Sequence, residues 1–386
     1  MGIRPIKPES ICFQDLRMTL QELEGQFISV RLSESCETLE GRIYRVDEGK
    51  LILVGVFGTR IIPICSISSI DFGPFAYVTG DFNENVVHVV NTATNTVFDL
   101  IPVGDLPIMP AITPNGSNVY IPNFNADTIS VINTKTNKIL TTISLAPDGS
   151  GPNAVAFTPD SSRAYTANFR NNTVSVIDTT TNAVLTTISL GSDVEAPTGI
   201  VITPDGSRAY VSTAFGGVAV INTETNTVLP TISLGPDIEG SLAIAIAPDG
   251  SHVYTANTEN NSVSVISTTT NTVLSTIDFF TSGIGPFGIA VTPDGSRVYV
   301  TNILNDTVTV IILATNISLI FIPLAPEGNG PAGIAITPDG SRAYITNVES
   351  RTVSVINTVT NTVIDSLIVG NISIGNNGIA ITPITI

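Results

Sequence analysis

From residue 73 onward the chain alternates short apolar, β-branched runs with clusters of Pro, Asp, Gly, Ser, Asn and Thr. The stretch GIAITPDGSRAYITNVESRTVSVINTVTNTVIDSLIV, residues 333–369, shows the pattern most clearly, with strand-like runs at 333–337, 343–346, 353–356 and 362–369. Runs of this length and β-branched content, bounded by turn residues, predict strands rather than helices. Between the first two runs stands Pro-Asp-Gly-Ser, where Pro presets φ for a type I turn and Gly takes the left-handed position after it. The last two runs are joined by Asn-Thr-Xaa-Thr-Asn, whose side chains can bond nearby backbone and whose second Asn tolerates positive φ.

Near copies of this unit fill the rest of the chain. With the Tyr of each AY or VY pair as phase marker, Tyr77, Tyr120, Tyr165, Tyr210, Tyr254, Tyr299 and Tyr344 follow one another at 43, 45, 45, 44, 45 and 45 residues. Four strands per unit at that period predict the blades of an all-β, seven-bladed propeller. The first Tyr strand, at 76–79, has no ITP-type strand before it, and the last ITP strand, at 380–383, has no blade after it. The C-terminal strand therefore completes the blade begun at Phe75 and leaves no open sheet edge.

The N-terminal region reads differently. Residues 1–12, with Pro5 and Pro8, form an extended arm, and Phe13, Leu16, Leu20 and Leu23 lie at helical spacing. Alternating runs at 27–32, 38–46, 50–56, 60–64 and 67–72 then predict five bent strands of a small SH3-like or Sm-like barrel over 13–72, ahead of the propeller at 73–386.

Charge changes the picture of partners. The net charge of −17 sits mostly on the propeller, where 8 Lys/Arg face 23 Asp/Glu, against 8 and 10 in residues 1–72. An acidic body repels phosphates, so nucleic acid is not an expected partner. No apolar run is long enough for a membrane span, and MGIRPIKPES lacks the pattern of a classical signal peptide.

Candidate chemistry is sparse. The three cysteines, Cys12, Cys36 and Cys65, all lie in the N-terminal region. They read either as small apolar residues in a reducing compartment or as an intersubunit disulfide. His252 occupies the slot of Arg163, Arg208, Arg297 and Arg342 in sister units, and His88 replaces a small polar strand residue; both read as structural variants. No nucleophile–His pairing, phosphate loop or dinucleotide motif stands out. Asp148, Asp193, Glu195, Asp237, Glu239 and Glu327 fall in the connections between blades, on the face that also carries Asp81, Glu84, Asp127, Glu259, Asp306 and Glu349. That face is a solvated rim or a weak Ca²⁺ or cationic-ligand site; no other cofactor is expected. Asn123, Asn168, Asn257, Asn302 and Asn347 end the Tyr strand and read as backbone caps. Two units break pattern: the loop at 214–217 is one residue short, and 311–322 loses its Asn-Thr turn for apolar residues.

Through YVTN at 299–302, YITN at 344–347, YTAN at 165–168 and 254–257, and the PDG and TNTV turns, the unit resembles the YVTN-type repeats of prokaryotic surface-layer and secreted proteins. The N-terminal region resembles the Sm-like fold and small domains of bacillus spore coat proteins, through Val30, Leu32, Leu39, Gly41, Ile43, Val46, Asp47, Leu51, Leu53, Ile62, Pro63 and Ile67. Where RNA-binding Sm proteins carry an Asn and an Arg-Gly, this chain has Glu48-Gly49 and Cys65-Ser66. The resemblances imply a surface-exposed binding or structural role. The expectation is a non-enzymatic structural protein on a bacterial cell or spore surface. It assembles with itself into rings or filaments through its N-terminal region. Its rivals are a monomeric propeller that binds carbohydrate or protein, and a propeller hydrolase or lactonase with a metal at the channel mouth.

Overall fold

The computed structural model describes residues 27–32, 38–47, 50–55, 58–63, 67–71 and, except for 81–83, 192–193, 236–237, 239, 280–283, 314–316, 325 and 371–377, residues 74–383. All regular elements among them are strands. The arm, the helically spaced Phe13, Leu16, Leu20 and Leu23, and Cys12, Cys36, Cys65, Asp81, Asp193, Asp237 and Glu239 lie outside the described residues.

Five N-terminal strands, β1 (Phe27–Leu32), β2 (Thr38–Asp47), β3 (Lys50–Gly55), β4 (Gly58–Pro63) and β5 (Ile67–Asp71), form one antiparallel sheet in the order β4-β3-β2-β1-β5. Val46, Leu51 and Ile62 are buried on it.

The remaining strands form seven four-stranded sheets. The first blade takes its inner strand, Ile379–Ile381, from the C-terminus and its other three, Phe75–Thr79, Val86–Asn91 and Thr96–Pro102, from the start of the array. Ala380 pairs with Tyr77 and Ile381 with Ala76. The predicted closure is therefore present.

Turn chemistry behaves as the repeat dictates. Gly206, Gly250, Gly295 and Gly340 hold φ near +70°, and Asn95, Asn137, Asn182, Asn226, Asn271 and Asn361 hold φ between +49° and +56°. Those asparagines then serve the neighbouring blade. The fully buried Tyr165 of the third blade donates its phenol to Oδ1 of Asn226 in the fourth at 2.9 Å, and the same bond runs from Tyr210 to Asn271, Tyr299 to Asn361 and Tyr344 to Asn95. Beside it, the guanidinium of Arg163, Arg208, Arg297 or Arg342 donates to the carbonyl of Thr223, Thr268, Thr358 or Thr92 one blade on. Each sheet face packs apolar side chains on the next, as where Tyr165, Val174 and Val176 meet Ile200, Ala209 and Ile221. Blade-to-blade cohesion thus rests on an apolar layer with a fixed polar bond at its edge.

Candidate functional site

Two carboxylates of the acidic face serve structural bonds. Asp127 and Asp306 stand at left-handed turn positions, φ +53° and +55°, and accept the backbone N–H of Gly151 and Gly330 at 2.7 and 2.8 Å. Asn172 and Asn261 do the same for Ala196 and Gly285. The buried Asn168, Asn257, Asn302 and Asn347 each donate Nδ2 to hydroxyls on the following strand, so their bonds run to side chains and not to the backbone that capping would engage. Asp148, Glu195 and Glu327 are exposed, each in a separate interblade connection. The axial strands contribute apolar side chains, Met109, Leu242 and Phe287 among them, and Asn153, whose Nδ2 donates to the carbonyl of Thr198. Among the described residues no three His, Cys, Asp or Glu side chains gather as metal ligands.

The opposite face holds a different arrangement. In most blades the turn between the first two strands is fixed by a Thr hydroxyl that donates to the turn Asp, as Thr203 does to Asp205 and Thr292 to Asp294 at 2.6 Å. Hydrogen bonds from that Thr and from the following Ser hold these carboxyls below the usual carboxylate range. The fifth blade departs twice at this turn. Ala247 replaces the Thr, and His252 replaces the bridging Arg. Imidazole is too short to span to the next blade as the guanidinium does. Next to this gap lies the sixth blade's aberrant turn, which begins at Leu313, so two departures that look unrelated along the chain meet in space.

A cleft of about 530 Å³ lies between the fifth and sixth blades, lined by Ala247, Asp249, Ser251, His252, Tyr254, Asp294 and Leu313 among others; the corresponding cleft between the fourth and fifth blades, where Thr203 and Arg208 are kept, holds about 500 Å³. Within the former Ser251 Oγ donates to Asp249 Oδ1 at 2.7 Å and lies 2.6 Å from Nδ1 of His252. With Nδ1–H donating to Ser251 and Ser251 to Asp249, the lone pair falls on Nε2. Asp249 is held ionised by its bonds from Ser251 and, more weakly, by His252. Burial, reinforced by the Asp249 charge, pushes the Tyr254 phenol up to about 12, so it stays a donor. Of the apolar stretch at 311–322, Ile311 and Ile322 are buried and Ile320 is 37 % exposed, less than the outer-strand Leu140, Leu185 and Leu274 at 54–57 %.

The second histidine is buried. His88 stands on the strand Val86–Asn91 at the position of Ser130, Ser175, Ser264, Thr309 and Ser354, and burial lowers its pKa to about 4.

The lactonase 7-bladed beta-propeller family matches this chain over residues 109–320 and 179–369, together about two-thirds of its length. The chain belongs to that family. None of the curated proteins matches it in sequence. Among solved structures it is similar to a functionally unknown protein of Desulfotomaculum acetoxidans, at 22 % identity and TM-score 0.66 over 80 % of this chain and 99 % of that one. A Bacteroides uniformis protein provisionally named 6-phosphogluconolactonase is similar at 18 % identity and TM-score 0.65, over 80 % and 99 %. Hydrazine synthase of Kuenenia stuttgartiensis is similar at 22 % identity and TM-score 0.61, over 69 % and 87 %. At these identities the likeness is one of fold.

Membership in a lactonase family overturns the expectation of a non-enzymatic, self-assembling structural protein and favours the hydrolase alternative. The earlier expectation rested on repeats that report the fold, since the same turns and tyrosines are needed whatever chemistry a propeller carries. Ala247 and His252 depart from the repeat in one turn, a coincidence that reading His252 alone as a surface variant leaves out.

Proposed function

We propose that the protein is a lactonase-type hydrolase that opens an uncharged lactone in the cleft between the fifth and sixth blades. Family membership supports the reaction class, and the Asp249–Ser251–His252 chain of hydrogen bonds is the observation that carries the site.

In this reading Nε2 of His252 takes a proton from water as the water oxygen attacks the lactone carbonyl carbon. The ring C–O bond then breaks, and the imidazolium returns the proton to the departing ring oxygen. Asp249, through Ser251, fixes the tautomer and favours the transient imidazolium. Tyr254 supplies the O–H at the cleft wall toward which the carbonyl oxygen gains charge. Asp249 and Asp294 line the cleft, and its described lining residues include no Lys or Arg, so phosphorylated and carboxylated lactones are disfavoured by repulsion. The strand order of the N-terminal sheet supports an Sm-like reading of that region, and the tyrosine strands a YVTN-type reading of the blades; neither bears on the reaction.

The test is hydrolysis of uncharged γ- and δ-lactones beside 6-phosphogluconolactone, followed by proton release. Turnover of the uncharged ring with a kcat about 10²–10⁴ lower in His252→Gln is expected. Unchanged kcat in that variant would remove the cleft as the site, and no turnover of any lactone would remove the reaction.

A further inference from the structure

In the first blade two repeat positions change together. The Asn that ends the Tyr strand in five sister blades is Gly80, and the small hydroxyl residue that accepts from it is His88. A large residue and a small one have exchanged places, so an imidazole occupies the space of the Asn–Ser pair.

The exchange does not restore the hydrogen bond. His88 is 97 % buried, yet its Nε2 has no hydrogen-bond partner among the described residues. Among the described residues Glu84, one-third exposed at the mouth of the niche, faces it with Oε2 at 3.8 Å from Nε2. That separation is too long for a hydrogen bond. It is shorter than two metal–ligand bonds of about 2.0–2.2 Å laid end to end, so one ion can touch both atoms. The niche is tight around the imidazole: a Cβ on Gly370 would stand 2.7 Å from His88 Cε1, 3.3 Å from Nε2 and 3.4 Å from Glu84 Oε2, and one on Gly80 3.4 Å from Nε2. Both positions are glycine.

We propose that the first blade binds a divalent transition-metal ion through His88 Nε2 and the Glu84 carboxylate, with water completing the coordination. One imidazole and one carboxylate suit zinc, nickel or cobalt, whereas calcium prefers oxygen alone. Burial keeps the imidazole neutral, which is the form that ligates. Glu84, being partly exposed, gives the ion its way in. The site is separate from the His252 cleft and does not depend on the reaction assigned there.

The experiment is a zinc titration of full-length protein freed of metal by a chelator, read by calorimetry and by long-range ¹H–¹⁵N spectra of the two histidines. One equivalent of zinc should shift the His88 Nε2 resonance and leave His252 in place. Glu84→Gln should weaken that binding at least tenfold. The double variant Gly80→Asn/His88→Ser places the sister-blade residue types at both positions, and it should lack this equivalent. Any uptake by the N-terminal cysteines is common to both chains. Equal zinc uptake by wild type and double variant, or an unmoved His88 resonance at saturation, would overturn the assignment.

Discussion

The phenol of Tyr344, in the last blade, donates to Oδ1 of Asn95, in the first, at 2.7 Å across 249 residues of sequence. The same tyrosine donates to the carbonyl of Thr92 at 2.9 Å. Removing the hydroxyl leaves the half-buried Asn95 Oδ1 without this donor, while the Thr92 carbonyl keeps the Arg342 guanidinium. Tyr344→Phe should cost about 1–3 kcal/mol, measured as a lower denaturant midpoint with unchanged slope. Because Tyr165 makes the same bond between the third and fourth blades, Tyr165→Phe should cost a similar amount.

Closure by the C-terminal strand predicts a larger effect. Without residues 378–386 the strand Phe75–Thr79 loses its inner partner, and the hydrogen bonds from Phe75 to Thr382 and from Thr79 to Gly378 go with it. The truncated chain should melt well below the intact one and associate through the exposed edge. Equal melting temperatures would show that the ring does not depend on this strand.

At the axis, Gly288 faces a neighbouring backbone. A Cβ there would stand 2.2 Å from the carbonyl oxygen of Ala332 in the next inner strand. Backbone cannot yield as a side chain can, so Gly288→Ala should cost about 1–3 kcal/mol or more, read by thermal unfolding.

The cleft predicts a trade of stability against activity. His252→Arg supplies the guanidinium that four sister blades aim at the next blade's carbonyl, here that of Leu313. It should raise stability by about 0.5–1.5 kcal/mol while abolishing lactone hydrolysis. An active His252→Arg chain would contradict the assigned base.

Acid sensitivity follows from His88. Its folded pKa is near 4 against an ordinary 6.5, so between those values the unfolded chain binds the extra proton. Stability is therefore full above about pH 6.5 and falls by up to about 3 kcal/mol as the pH drops to 4. With chelator present, Gly80→Asn/His88→Ser should flatten that part of the profile. A further loss should come below pH 4, where Asp160, held near 2 first by the Thr158 hydroxyl, takes up its proton.

The fold was legible because each repeat restates the same local rules. Pro-Asp-Gly-Ser and Asn-Thr-Xaa-Thr-Asn fix the two hairpins, and the spare ITP strand at the C-terminus gives away the closure. The cleft was less legible, since its parts come from neighbouring blades. Ala247 and His252 share a turn, but their consequence depends on Leu313 standing opposite, about sixty residues later. Among the acidic residues, Asp127 and Asp306 recur where a left-handed turn needs an acceptor for the next connection, which is a structural demand that the sequence alone does not display.

The offset between repeat and blade has an evolutionary consequence. Each tyrosine uses an asparagine of the following blade, and the first blade is assembled from both ends of the chain. A recombination event that copies or excises one period of 45 residues therefore leaves every remaining blade with four strands and every remaining tyrosine with a neighbour to bond. Such a ring can change its number of blades in whole steps without passing through a half-built sheet.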